Sequence, residues 1–260
     1  MTARHSRGPR LFLSDLRFVF SSDTPQQIAL PQEQSHHVRD VLRLSIGDSI
    51  EIGSIEQGSV AKGTIAALHD RVSVTLHAYI EATSPQRQIQ IVCALCKGDK
   101  NEQILDWATE LGCRCVHFWQ ASRSIVRLKN DQEISRKVER LSKIALAAAQ
   151  QSRQPIPPRV EIHQTLRAAI SSLPELASSV KALCSLSSEA SSIHELLASK
   201  SVSTPIIIAC GPEGDFTPEE EHQLCHEHGF TPVSLGPAVL RSELAVVTAI
   251  VSIRAHDQLR

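Results

Sequence analysis

The sequence predicts an α/β protein of two domains. A small N-terminal β-barrel covers residues 1–82, and a larger domain over 88–260 holds a mainly parallel sheet with helices. Three observations carry this. Short alternating strands crowd the region between Ile28 and Tyr79. After a polar break at Thr83 to Arg87, around Pro85, strands alternate with helical stretches. Late in the chain, the β-branched run Ile206-Ile207-Ile208-Ala209-Cys210 ends on Gly211-Pro212-Glu213-Gly214, a strand–turn–helix cradle of the kind found at the carboxyl end of a parallel sheet.

In order, residues 1–20 carry Arg4, Arg7, Arg10 and Arg17 against the single acid Asp15. His36 to Arg43 reads as a short helix with Val38, Val41 and Leu42 inward, and Ile46-Gly47-Asp48 as a turn. Ser49–Ile52, Val60–Ile65 and Val72–Leu76 alternate apolar and polar residues, as half-buried strands do. In the second domain, Ile89–Leu95 is a buried strand, Glu102–Leu111 a helix stopped by Gly112, and Cys115–Trp119 the next strand. Glu133–Gln151 is a long helix broken by Pro155, Pro157 and Pro158. Ala182-Leu183-Cys184 is a short strand, and Ser191–Leu197 a helix.

The helix after the glycine turn carries its own start signal. Thr217 is a suitable N-cap, Pro218 fits the first helical position and Glu220 completes a capping box. Gly229 is the expected stop. A second apolar stretch closes on Leu235-Gly236-Pro237, and Val239-Leu240-Arg241-Ser242-Glu243 opens the last helix.

The chain has 260 residues, 42% of them hydrophobic, with a formal net charge of −1, as a soluble globular protein does. It shows no apolar segment able to span a bilayer and no export signal. Seven cysteines, an odd number scattered through apolar runs, suit the reducing cytoplasm. The near-neutral total hides an asymmetry: Arg114 to Arg159 holds ten Lys+Arg against three Asp+Glu, and Val160 to His228 holds three against ten. A basic block of this kind can bind a polyanion or form a solvated helix face.

No metal is expected. Cys93-x-x-Cys96 with Cys113-x-Cys115 fails as a zinc site because strand residues three apart face opposite ways. His222, Cys225, His226 and His228 lack an acid to support them. Neither Gly-x-Gly-x-x-Gly nor a P-loop is present.

The segments Gly211–Phe216 and Leu235–Ala245 together resemble the RsmE-type methyltransferases of the SPOUT superfamily, which modify N3 of a uridine in 16S ribosomal RNA. The resemblance extends to Pro9–Phe12, His37–Arg43, Gly47-Asp48, Lys97–Lys100, Glu110–Gly112, Arg123-Ser124, Gln151–Arg153 and Pro157. Asp215 stands where the family usually has glycine, Ala238 where it has arginine, Leu244 where it has threonine, Trp107 where lysine is common and Gln150 where glutamate is.

The resemblance implies a PUA-like barrel, a trefoil-knotted SPOUT sheet, a homodimer, S-adenosylmethionine as cofactor, and small-subunit ribosomal RNA as partner. It places the cofactor at Cys210, Gly211, Pro212, Glu213, Gly214, Leu235, Gly236, Val239 and Leu240, with Leu183 and Leu186 as an apolar wall. Arg241, Glu243 and Glu213 become catalytic candidates: a carboxylate takes the N3 proton and the arginine meets charge on the uracil oxygens. Arg10, Arg39, Arg43, Lys97, Arg123, Arg127 and Arg153 become candidates for phosphate contact. Two rivals remain: a ribose 2′-O methyltransferase of the same fold, and an RNA-binding assembly factor without catalysis. The last helix supports the dimer independently, since its apolar residues at 244, 246, 247, 250, 251 and 253 wrap more than one face.

Overall fold

The computed structural model describes residues 8–19, 24–80, 87–173 and 177–259. Residues 83–86 of the expected linker lie outside them. The chain divides into two compact units, Met1–Thr83 with Ala149–Pro157, and Ser84–Ala148 with Pro158–Arg260.

The first unit carries a five-stranded sheet ordered β1-β3-β4-β5-β2. Its strands are β1 (Arg10–Leu13), β2 (Gln26–Ala29), β3 (Ser49–Ser54), β4 (Ser59–Leu68) and β5 (Val72–Ile80). β1 runs parallel to β3, and the other pairings are antiparallel. Its core gathers the inward residues of that alternation, among them Leu11, Ile50, Ile52, Val72, Val74 and Leu76. Helix α1 (Gln32–His36) runs on into a π turn, His37–Val41. That turn corrects the expected helix face. Leu42 N–H reaches back five residues to His37 O, at 2.9 Å, so the chain is wound more loosely than an α-helix. Val38 is buried, and Val41 is 61% exposed.

Sequence reading put Ala149–Pro157 in the second domain, but an ion network ties it to the first unit. Glu51, 3% exposed, accepts from Arg10 at 2.8 Å and from Arg153 at 3.0 Å. Arg10 also donates to the carbonyls of Arg153 and Gln154. A buried carboxylate held by two guanidiniums meets the requirement that buried charge be paired.

The second unit is a seven-stranded sheet, parallel throughout, ordered β10-β12-β9-β11-β6-β7-β8. Its strands are β6 (Ile89–Ala94), β7 (Cys115–Trp119), β8 (Arg159–His163), β9 (Val180–Cys184), β10 (Ser191–Ser192), β11 (Ile206–Cys210) and β12 (Thr231–Ser234). β11 lies between β9 and β6 with all five residues buried, as its unbroken apolar run requires. Both faces of the sheet are packed. The helices are α2 (Lys100–Glu110), α3 (Asp131–Ser152), α4 (Leu166–Ser171), α5 (Ile193–Leu197), α6 (Pro218–His222) and α7 (Ser242–Gln258). Thr217 caps α6 through the full capping box with Glu220.

α7 is anchored at its far end. Arg87, expected in a polar linker, is fully buried; it forks onto Asp257 with Nη2–Oδ1 at 2.9 Å and donates to Thr204 O at 2.7 Å. Arg254 donates to the carbonyls of Leu111, Arg87 and Gly112. Among the described residues, no helix is long and apolar enough to cross a membrane.

Candidate functional site

A cavity of roughly 530 Å³ opens at the carboxyl ends of three neighbouring strands, β12, β9 and β11. Its walls are the segments that leave them: Cys184–Ser188 after β9, Cys210–Asp215 after β11, and Ser234–Ser242 after β12. That volume suits a drug-sized ligand. Of the expected cofactor residues, Leu186, Cys210, Gly211, Pro212, Glu213, Leu235, Gly236, Val239 and Leu240 line it.

Two expected residues do not. Leu183 is fully buried on the opposite face of the sheet, with Val92, Ala209 and Phe216. Neighbouring strand residues point to opposite faces, so Cys184 reaches the cavity and Leu183 does not. Gly214 is also absent from the wall. A Cβ there would lie 3.2 Å from the Cβ of Arg123, so its bareness serves contact with that arginine. The turn's positive φ falls on neither glycine but on Asp215, at 62°. Asp215 offsets part of that strain by accepting the Phe216 N–H at 2.8 Å.

Charged groups converge beside the cavity, with Glu213 and Arg241 in its lining. Lys100 Nζ lies 2.9 Å from Glu213 Oε1 and 3.7 Å from Glu243 Oε2. Arg241 Nε is 3.4 Å from Glu243 Oε1. Sequence reasoning had named Glu213, Glu243 and Arg241, but not Lys100. Its signal was present in Lys97-Gly98-Asp99-Lys100, a glycine turn opening α2. The turn is held by buried Asn101, which accepts the Cys96 N–H at 2.9 Å and donates to Cys96 O at 2.7 Å.

Burial alone would push the Glu213 carboxyl up. Hydrogen bonds from Lys100 and from its own and Lys97's backbone N–H groups outweigh this and hold it below its ordinary value. Lys100 is raised, chiefly by the Glu213 hydrogen bond, against some burial and with further help from both carboxylates. Glu243 is 3% exposed and sits in the first turn of α7, where the helix dipole favours an anion. Its Oε2 has no hydrogen-bond partner, so the ammonium at 3.7 Å acts on it as charge alone. The Arg241 side chain is 72% exposed, and its residue lines the cavity. The cavity lining thus offers one carboxylate, Glu213, and one cation, Arg241, backed by Lys100 and the buried Glu243.

The expected phosphate contacts fare unevenly. Arg123 Nη1 donates to Gly214 O and Phe216 O, both at 2.9 Å, and so braces the cavity turn. Arg127 donates to Ala121 O and Ser122 O, both at 2.7 Å. Arg39 is taken up by the carbonyls of His69 and Asp70. Arg10 is buried on Glu51, and Arg153 shares that carboxylate. Arg43 and Lys97 are exposed. A basic block counts charges, but the carbonyls a guanidinium meets decide its work.

Comparison with known proteins agrees with this geometry. The profile of a family described as an RNA methyltransferase domain matches residues 82–254. Ribosomal RNA small subunit methyltransferase E of Bacillus subtilis (strain 168) is 32% identical over 91% of this chain and 95% of its own. Its namesake from Rickettsia conorii (strain ATCC VR-613 / Malish 7) is 27% identical over 84% and 85%. A crystal structure of ribosomal RNA small subunit methyltransferase E from Neisseria gonorrhoeae, bound to S-adenosyl methionine, superposes with a TM-score of 0.79 at 25% identity, covering 96% of this chain and 98% of that one. A family profile over nearly all of the parallel-sheet unit, and a relative matched along almost its whole length, make this chain a member of the RNA methyltransferase domain family, in the group of the ribosomal RNA small subunit methyltransferases E.

Proposed function

We propose that the protein methylates N3 of a uridine in small-subunit ribosomal RNA, using S-adenosylmethionine, in the cytoplasm. The observation that carries this is the cavity between three strand-end loops, lined by Glu213 and Arg241, with Lys100 and Glu243 in contact with those two side chains. The cavity fits the cofactor by its size, its bare Gly211 and Gly236 backbone and its apolar Leu186, Leu235 and Val239. At Gly236, with φ of 121°, an added Cβ would meet nothing within 4 Å. The knot implied by the family resemblance would be tied by these same loops.

S-adenosylmethionine bound there supplies an electrophilic methyl group. N3 of uracil carries a proton at neutral pH, so this chain's task is to take it. Glu213 is ionised at neutral pH, and the Lys100 hydrogen bond holds its carboxyl below the ordinary value despite burial. It is the better proton acceptor of the pair by exposure, at 31% against 5% for the Glu243 side chain. Glu243 orients Arg241, whose exposed guanidinium can meet charge spreading onto the uracil oxygens. Positioning by the loops contributes the rest.

The same reading includes a homodimer. On α7, Leu244 and Val251 are 38% and 47% exposed, and half-buried Val247 lies between them along one stripe. That stripe is the face offered to a second copy.

The test is to incubate purified protein and S-adenosylmethionine with small ribosomal subunits and with the naked RNA, then read modifications along the RNA. N3 methylation blocks the base-pairing edge and stops reverse transcription. Ribose methylation leaves that edge intact, and an assembly factor without activity leaves no mark. Either of the last two results overturns the proposal.

A further inference from the structure

On the edge of the parallel sheet, away from the cavity strands, four metal-ligating side chains lie on one face of two neighbouring strands. Cys115 and His117 lie two residues apart on β7, hence on one face, and Glu161 and His163 share that face on neighbouring β8. The register pairs His117 with Glu161 directly. Among the described residues, the one metal-ligating group of three that converges is Cys115, His117 and Glu161, with ligand atoms all within 4.8 Å of one another.

The distances carry the argument. His117 Nδ1 lies 3.3 Å from His163 Nε2. The same Glu161 Oε2 lies 3.6 Å from the former and 3.5 Å from the latter. These three atoms form a nearly equilateral triangle, and an ion seated just off its plane lies about 2.1 Å from each corner at tetrahedral angles, the length of zinc bonds to imidazole nitrogen and carboxylate oxygen.

Two imidazole nitrogens and a carboxylate oxygen thus crowd one point. The Ser172 hydroxyl lies 3.2 Å from each of the two nitrogens and donates to Ala169 O at 2.8 Å.

We propose that Cys115, His117, Glu161 and His163 form a binding site for a zinc-class divalent cation. Nitrogen, sulfur and one carboxylate select zinc over magnesium or calcium. Cys115 finds its partners on its own strand, at His117, and across the sheet on β8, rather than among the other cysteines. Binding forms the metal–sulfur bond and releases the thiol proton to solvent. A closed four-donor set is structural in kind, and its effect is to fasten edge strand β8 to β7.

The test uses the full chain, stripped with a chelator and titrated with zinc alone by calorimetry. One ion per chain should bind, and melting temperature should rise with zinc. His117 is fully buried and its replacement can unfold the chain, so the variants are Glu161→Gln and His163→Asn on the less buried edge strand. Each should weaken zinc by at least about tenfold and melt like the wild type without metal. Cobalt(II) should give a thiolate charge-transfer band that Cys115→Ser removes. A chain that binds no stoichiometric zinc, variants that bind as tightly as the wild type, or a cobalt complex without that band overturns the site.

Discussion

Replacing Lys100 by methionine keeps the side chain's length and deletes the charge between Glu213 and Glu243. The two contacts are 2.9 and 3.7 Å. At an effective dielectric of about 20, each is worth roughly 4–6 kcal/mol of raw attraction. Desolvation of Glu243, and solvent around a Lys100 side chain that is 24% exposed, cancel most of it. A net loss of about 1–3 kcal/mol remains, or roughly 2–10 °C in melting temperature. The loss should depend on pH. Glu213 is lowered from its ordinary 4.5, so its contribution is complete above that value and disappears as pH falls through the lower folded-state value. Lys100 is raised from 10.5, so its contribution is complete below that value and disappears as pH rises through the higher one. The difference between wild type and variant should therefore be full between those limits and shrink in acid. Urea unfolding at neutral pH and near pH 3 measures it. An equal loss at both would show that packing, not charge, is at work. In the methylation assay the variant's activity should move to higher pH, because the proton acceptor is no longer held ionised.

Gly214→Val should weaken S-adenosylmethionine by at least about tenfold in a folded protein, because the new side chain displaces Arg123 from the turn it braces; unchanged calorimetric affinity would contradict this. Asp257→Ala should cost about 3–5 kcal/mol by leaving the Arg87 guanidinium buried and unpaired, and a denaturant midpoint within error of wild type would refute it. Val247→Asp should yield a folded, inactive monomer by sedimentation, whereas Ile250→Asp, placed in the core, should unfold; a wild type that sediments as a monomer and still methylates RNA would refute the dimer. RNA affinity should fall with salt, and Arg43→Ala with Lys97→Ala should flatten that slope by about two, whereas Arg10→Ala should lower stability instead.

Several elements are determined by the sequence alone because their causes are local. The run Ile206–Cys210 can only be an interior parallel strand, and Thr217-Pro218 with Glu220 starts a helix by hydrogen bonds spanning three residues. The loops that build the cavity, with Glu213 and Arg241 in its lining and Glu243 beside Arg241, follow from segments continuous in the chain. Tertiary structure alone decided the partners. Lys100 reaches Glu213 across 113 positions, and Arg87 meets Asp257 across 170. No periodicity encodes such a separation. It also decided what each arginine of the basic block does, since Arg123, Arg127 and Arg153 differ only in the oxygens folding brings to them. Strand register did the same at the sheet edge, setting Glu161 beside His117 and turning Leu183 away from a cavity that its neighbour Cys184 lines. Charge and polarity are properties of a residue, but pairing and facing depend on where the rest of the chain has gone.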